Sequence, residues 1–201
     1  MNNLKKKSLI SISILFALIV AVDQITKLII INNYREGEGT PVISDVFEIL
    51  HIHNSGSAWG MLSGKTLFLT LFSVILIGAL VYVLIHIIGD RYYRILTILI
   101  TCILGGAVGN MIDRIRLGYV TDFLYFKLID FPVFNVADIF VTVPVILLII
   151  FMIFKYHGDD FDVLLGDKIR NEDGTYTEKK KKKKKGKDTE ETEAAETEDD
   201  K

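Results

Sequence analysis

Apolar positions fall in four long blocks. Neither the two-residue period of a half-buried strand nor the 3.6-residue period of an amphipathic helix breaks them up. Ser8–Val22, Leu67–Ile88, Ile95–Val108 and Ile139–Tyr156 are nearly free of charge. A helix crosses a bilayer core with about 20 predominantly apolar residues. The second and fourth blocks reach or approach that length unaided. The first reaches it by continuing through Asp23 and Lys27 to Ile31, and the third through Gly109-Asn110-Met111-Ile112. The pattern therefore predicts an all-α membrane protein with four transmembrane helices. Val46–His53, rich in Ile, Phe and Leu but short, reads as a strand lying on the membrane surface.

Lysine and arginine near the helix ends set the expected orientation. Lys5, Lys6 and Lys7 precede the first helix, Arg91 and Arg94 lie between the second and third, and Lys155 follows the fourth. These regions, and so both termini, are expected to be cytoplasmic. The loops around residues 32–65 and 113–138 then face outward, although Arg114, Arg116 and Lys127 weaken the asymmetry. The Lys5-Lys6-Lys7 start also fits a signal peptide. The apolar stretch is long for one, and Asp23-Gln24-Ile25-Thr26-Lys27 is a poor small-residue cleavage site. An uncleaved first helix is expected.

Half of the residues are apolar, and the net charge of −2 conceals a divided C-terminal tail. Lys179–Lys185 is an unbroken basic run, and Glu190–Asp200 is almost all acidic residues, Thr and Ala. Neither half can bury enough apolar surface to fold. Residues 1–157 are thus expected to form the membrane domain, and residues 158–201 a disordered cytoplasmic tail. The basic run could also lie on anionic lipid. One cysteine, Cys102, leaves no partner for a disulfide within the chain and no cysteine metal cluster.

Ionisable residues within spans are costly and usually mark function. Asp23 and Lys27 are four apart, on one helix face. They either shape the outer end of the first helix beside a site or form a snorkelling interface pair. Asn54-Ser55-Gly56-Ser57-Ala58-Trp59-Gly60 leads into the second helix, as a tight turn with Trp59 as an interface anchor. Within it, Asn54 could bond a substrate or a neighbouring carboxylate. His51 and His53 share a strand face but lack an evident third ligand, so no metal site is expected. Gly105 and Gly109 make a small-residue face for close helix approach. Asn110, Asp113 and Arg114 lie near one face at the outer end of the third helix, as a polar wall or a helix-end charge pair. Asp122 reads alone as a loop acid, and Asp138 as a helix cap favoured by the dipole. Together with Asn135, all these polar groups fall on the outer side of the expected topology, which points to one shared pocket.

Five phrases carry a resemblance: Asp23-Gln24-Ile25-Thr26-Lys27, the Asn54–Gly60 phrase, Gly105-Gly106-Ala107-Val108-Gly109-Asn110-Met111-Ile112-Asp113-Arg114, Val120-Thr121-Asp122-Phe123 and Phe134-Asn135-Val136-Ala137-Asp138. In this order and spacing the chain resembles the lipoprotein signal peptidase (signal peptidase II) family over roughly residues 8–157. The resemblance implies a bacterial inner-membrane aspartyl endopeptidase. It would cut prolipoprotein signal peptides before a cysteine already carrying diacylglycerol. The implied catalytic pair is Asp122 and Asp138. The implied supporting residues are Asp23, Lys27, Asn54, Gly56, Asn110, Asp113, Arg114, Asn135 and Ala137. The implied partners are diacylglyceryl-modified prolipoprotein signal peptides and membrane lipid, with no nucleic acid, no cofactor and no metal. Ser57 and Trp59 stand where Ala and Phe are common in the family, and Thr121 where Val is common. The charged tail lies outside the pattern.

Two adjacent carboxylates cannot both ionise easily, so such a pair shares a proton and can activate water without a metal. The residues alone do not assign that proton. Val46–His53 and Phe123–Phe126 could cover the site, as a small extracytoplasmic β element and a periplasmic-side flap. The competing reading is a small proton-coupled membrane transporter, since membrane acids also serve as proton relays. Against it, the acids cluster at one membrane face instead of stepping across. A non-catalytic lipid-binding membrane protein is a third reading.

Overall fold

The computed structural model describes residues 3–56 and 65–179. Helices α1 (Asn3–Asn33), α2 (Thr66–Ile87), α3 (Arg94–Leu117) and α4 (Val136–Phe154) are each long and apolar enough to cross a membrane. They coincide with the four apolar blocks. Helices α1 and α3 carry on through their polar residues because hydrocarbon offers no partner for a free backbone group. Ser57 and Trp59, with the rest of 57–64, lie outside the described residues.

Helix α3 is the central post, packed against α1, α2 and α4. Its glycines set the spacing. A Cβ on Gly105 would meet Ile19 of α1, and one on Gly106 would meet the Ala137 carbonyl oxygen of α4. Such small residues let helix backbones approach where lipid supplies no hydrophobic drive for association. Ile87 is the one buried residue of α2, and Ile77, Leu80, Val83 and Leu84 pack, partly buried, against the core.

Strands β1 (Gly39–Ile43), β2 (Phe47–Asn54) and β3 (Val120–Tyr125) form an antiparallel sheet in the order β1-β2-β3. The surface strand read from Val46–His53 is β2, displaced by one residue. Phe123–Phe126, expected as a flap, belongs largely to β3. The small β element expected beside the four helices is this sheet, and the chain is mostly helical. Register pairs Asn54 with Val120 and Ile52 with Asp122. Helix α3 can turn directly into β3 because Gly118 adopts the left-handed conformation (φ 82°), open to glycine without a Cβ clash. The Gly118 carbonyl then accepts the Thr66 hydroxyl at 3.0 Å, tying the turn to the start of α2.

The expectation of disorder from residue 158 onward needs correction as far as residue 179. Helix α5 (Asp159–Leu165) packs on α2, and β4 (Lys168–Arg170) pairs with β5 (Tyr176–Glu178) as a hairpin. The physical reason is a small aromatic core that the charge count hides. Tyr93, Tyr156, Val163 and Leu164 pack with Ile87, Leu96 and Ile100. At its centre the Asp160 carboxylate accepts the hydroxyls of Tyr93 (2.6 Å), Tyr176 (2.8 Å) and Tyr92 (3.2 Å) and the His157 amide (3.2 Å). Burial pushes this carboxyl up, but those four donors outweigh it and hold it below the usual carboxylate range. Lys180–Lys185 and Glu190–Asp200 lie outside the described residues.

Candidate active site

Helix α4 begins with a capping box. The Asn135 side chain accepts the Asp138 amide at 3.1 Å, and the Asp138 carboxylate accepts the Asn135 amide at 3.0 Å. This arrangement satisfies helix-end donors reciprocally. It also leaves the Asn135 Nδ2 group free to reach elsewhere. It donates to Asp122 Oδ1 at 2.6 Å and to Asn110 Oδ1 at 3.0 Å. Asp138 is thus more than the cap it resembles in sequence, because its cap partner also holds Asp122.

Each acid has its own amide donor as well. Asn54 Nδ2, at the end of β2, donates to Asp122 Oδ2 at 2.7 Å, and its Oδ1 accepts the Gly56 amide at 2.9 Å. Asn110 Nδ2, on α3, donates to Asp138 Oδ1 at 2.8 Å. Pairing of β2 with β3 and packing of α3 on α4 bring these groups together from residues far apart in the chain.

A layer of buried charge lies behind the amides. Lys27 is only 2 % exposed, and its ammonium contacts Asp23 at 3.0 Å, Asp113 at 3.1 Å and Asn110 Oδ1 at 2.9 Å. Asp23 is fully buried and accepts the Ala137 amide at 3.0 Å. Asp113 accepts the Thr121 amide at 3.1 Å. Three donors on the ammonium and several on the carboxylates give the compensation that buried charge requires. Of the two sequence readings of Asp23 and Lys27, the snorkelling interface pair is excluded. The helix-end charge pair is also absent, since Asp113 faces Lys27 and Arg114 makes no ion pair with it among the described residues.

Asp122, Asp138, Asn54, Gly56, Asn110 and Arg114 line one cavity of about 450 Å³. Apart from Thr142, its other walls are apolar, from Val120, Phe131–Phe134 and from Ile139 and Val143 of α4. Ile139 and Val143 are also outward-facing on α4, so the cavity reaches the lipid side of the bundle. Asp122 is 2 % exposed. Burial first, then the Asp138 charge, pushes its carboxyl up to about 7, against the pull of Asn54, Asn135 and Lys27. Both causes favour the protonated form of the Asp122 carboxyl.

Every supporting residue read from the sequence joins this network or lines the cavity. Gln24 was missed. Its Nε2 reaches Asp23 (3.1 Å), Asp113 (3.0 Å) and the Gly109 carbonyl (3.2 Å). Its place one residue after Asp23 was the available signal. His51 and His53 have other roles. His51 Nδ1 lies 2.9 Å from the Tyr34 carbonyl oxygen, while His53 lies 3.1 Å from Glu36 and stacks on Tyr119.

A family model described as signal peptidase (SPase) II matches residues 15–154, the span that contains the whole network. A lipoprotein signal peptidase of Staphylococcus aureus is 40% identical over 148 residues, covering 72% of this chain and 90% of that protein. One of Caldanaerobacter subterraneus is 42% identical over 143 residues, covering 71% and 95%. The fold is similar to a bacterial membrane enzyme solved by the in meso method at 2.3 Å, with a TM-score of 0.65 and 36% identity over 71% of this chain and 87% of that one. Sequence, fold and the buried polar network agree, and the chain belongs to the signal peptidase II family.

Proposed function

We propose that this protein is an aspartyl endopeptidase that removes signal peptides from diacylglyceryl-modified prolipoproteins, cutting before the lipidated cysteine. The observation that carries this reading is that Asp122 and Asp138 line one cavity and are bridged by a single side chain, Asn135. The relatives' name, lipoprotein signal peptidase, supports lipoprotein signal peptides as the substrate class. In the mechanism, Asp138 takes a proton from water as the water oxygen attacks the scissile carbonyl carbon. Asp122, protonated near neutral pH, donates to the carbonyl oxygen. Collapse of the tetrahedral intermediate returns that proton to the Asp122 carboxylate and breaks the carbon–nitrogen bond. The leaving nitrogen takes the proton held by Asp138. This is general acid–base chemistry by two carboxylates kept in unlike states.

Membrane placement fits such a substrate. The signal peptide is an apolar helix and the acyl chains stay in lipid, so a cavity open along α4 admits both sideways. The acid pair would face the outer side, with both termini cytoplasmic, in agreement with Lys5–Lys7, Arg91 and Arg94. Arg114 would bind carbonyl or ester oxygens of the lipidated end. Strand β2 and the β3 end around Phe126 would cover the bound segment, serving as the flap. The test is cleavage of a diacylated lipobox peptide by purified protein. Asp122→Asn and Asp138→Asn should each abolish cleavage while leaving the fold intact. Retained cleavage in either variant would sink the assignment, and loss of activity to a chelator would point instead to a metal.

A further inference from the structure

Helix α5 lies across the end of the bundle where α2 stops and α3 starts, away from the acid pair, which sits where α3 stops and α4 starts. Near its beginning, Asp160 accepts the hydroxyls of Tyr92 and Tyr93 at the head of α3. At its other end the Leu165 carbonyl accepts the Tyr82 hydroxyl of α2 at 2.7 Å, and a Cβ on Gly166 would meet the His86 ring. The helix has three unlike sides. Asp160, Val163 and Leu164 are buried against the bundle. Asp159 and Asp162 make a charged side, and both pair with Lys168, Asp162 at 2.9 Å. Phe161 and Leu165, four apart, are 41 % and 61 % exposed. At about 100° per residue, the centres of these sides lie roughly 120° from one another.

We propose that α5 is an in-plane anchor seated in the lipid leaflet away from the acid pair, with Phe161 and Leu165 as its lipid-facing side chains. Three sides suit a helix at the junction of protein, water and lipid, whereas a helix packed on a protein in water needs only two. Continuity with α2 identifies lipid as the occupant of the third side. Helix α2 is long and apolar enough to cross a membrane, and its Val81, Tyr82 and Ile85 are exposed. Exposed Tyr82 is also the residue that bonds the end of α5. It lies inside the Ile87 end of α2 by about 8 Å at roughly 1.5 Å per residue, a depth that suits tyrosine at the membrane interface. Charge at that depth needs partners. Lys168 answers Asp159 and Asp162, and the tyrosine hydroxyls answer Asp160. Residues 159–165 follow the family-matched span 15–154, so the anchor lies outside the part of the chain shared with the family.

The test uses the full chain carrying Cys102→Ser in phosphatidylcholine liposomes, spin-labelled at one introduced cysteine. Phe161→Cys and Leu165→Cys report the apolar side, and Asp162→Cys the charged side. Power-saturation spectroscopy compares the accessibility of each label to oxygen, which partitions into lipid, with its accessibility to a water-soluble nickel chelate. The ratio of oxygen to nickel accessibility should be several-fold higher at positions 161 and 165 than at 162. Equal ratios at the three positions would place the apolar side in water and overturn the proposal. Dipolar broadening between labels at 161 or 165, with both reagents excluded, would show a second copy of the chain on that side and would also overturn it. A conservative variant guards against a label that disturbs folding. Phe161→Trp in a Trp59→Phe background should be quenched by phosphatidylcholine brominated on its acyl chains and little affected by aqueous iodide. Quenching by iodide alone would refute the lipid seat.

Discussion

Asn135 holds Asp122 at 2.6 Å through the same amide side chain whose oxygen caps α4. One residue therefore starts a helix and fixes the distance between two acids on different elements. Asn135→Ser separates these roles, because serine caps a helix about as well as asparagine but cannot reach Asp122. The melting temperature should change little. Turnover should fall about a hundredfold, the scale associated with small misplacement of reacting groups. Unchanged turnover would show that Asn54 positions Asp122 alone.

Asp122 has its folded value raised from the ordinary 3.8 to about 7. The folded state then holds more protons than the unfolded one between those values, so this residue costs stability progressively as pH rises from about 4 to 7. Asp122→Asn removes the titration. Its stability relative to the wild type should rise by about 2–3 kcal/mol from pH 5 to pH 8, measured by denaturation in detergent. Wild-type turnover should decline as pH passes about 7 and Asp122 loses the proton it donates. A flat stability difference across this range would contradict the assigned protonation.

Lys27 is enclosed by Asp23, Asp113 and Asn110. Lys27→Met strands two buried carboxylates and should cost about 3–5 kcal/mol, as for other broken buried pairs. Adding Asp23→Asn should restore part of that loss. Thermal unfolding of the single and double variants checks both statements, and a double variant less stable than Lys27→Met would refute the second.

Thr121 is fully buried, and its hydroxyl has no hydrogen-bond partner among the described residues. Its backbone amide, not its side chain, serves Asp113. Thr121→Val, the residue common in the family at this position, should therefore raise stability by about 1 kcal/mol with turnover unchanged. A lower melting temperature would reveal a partner for that hydroxyl.

Asp160→Ala removes the acceptor for three tyrosine hydroxyls, including that of fully buried Tyr93. The variant should lose about 2–3 kcal/mol, the scale for one or two unsatisfied buried donors. The loss should be local. Limited proteolysis should open the segment 156–179 first, while α1–α4 stay protected.

Much of the site was legible in sequence because polar groups are conspicuous in lipid-spanning helices. Asp23, Lys27, Asn110 and Asp113 interrupt apolar blocks, and that interruption marks them before any contact is known. Gln24 and Thr121 were harder to read. Gln24 acts through a side chain at one helical step from an obvious acid, and Thr121 acts through its backbone, which has no residue-specific signal. Residues 158–179 were misread for a different reason. Asp159, Asp160 and Asp162 look like solvated charge, yet one of them is the acceptor of a tyrosine cluster whose members are 67 and 16 residues away.

The sequence by itself determined that four helices cross the membrane and that their polar residues collect toward one face. Both follow from local composition, since hydrocarbon accepts only long apolar helices with internal hydrogen bonds. Tertiary structure alone decided that Asp122 and Asp138 share Asn135, that Asp113 pairs with Lys27 and not with Arg114, and that residues 158–179 fold back on α2 and α3. Those outcomes depend on strand register and on the close approach of α1 and α4 to the glycines of α3. Such approach is a property of surfaces that meet only after the chain has folded.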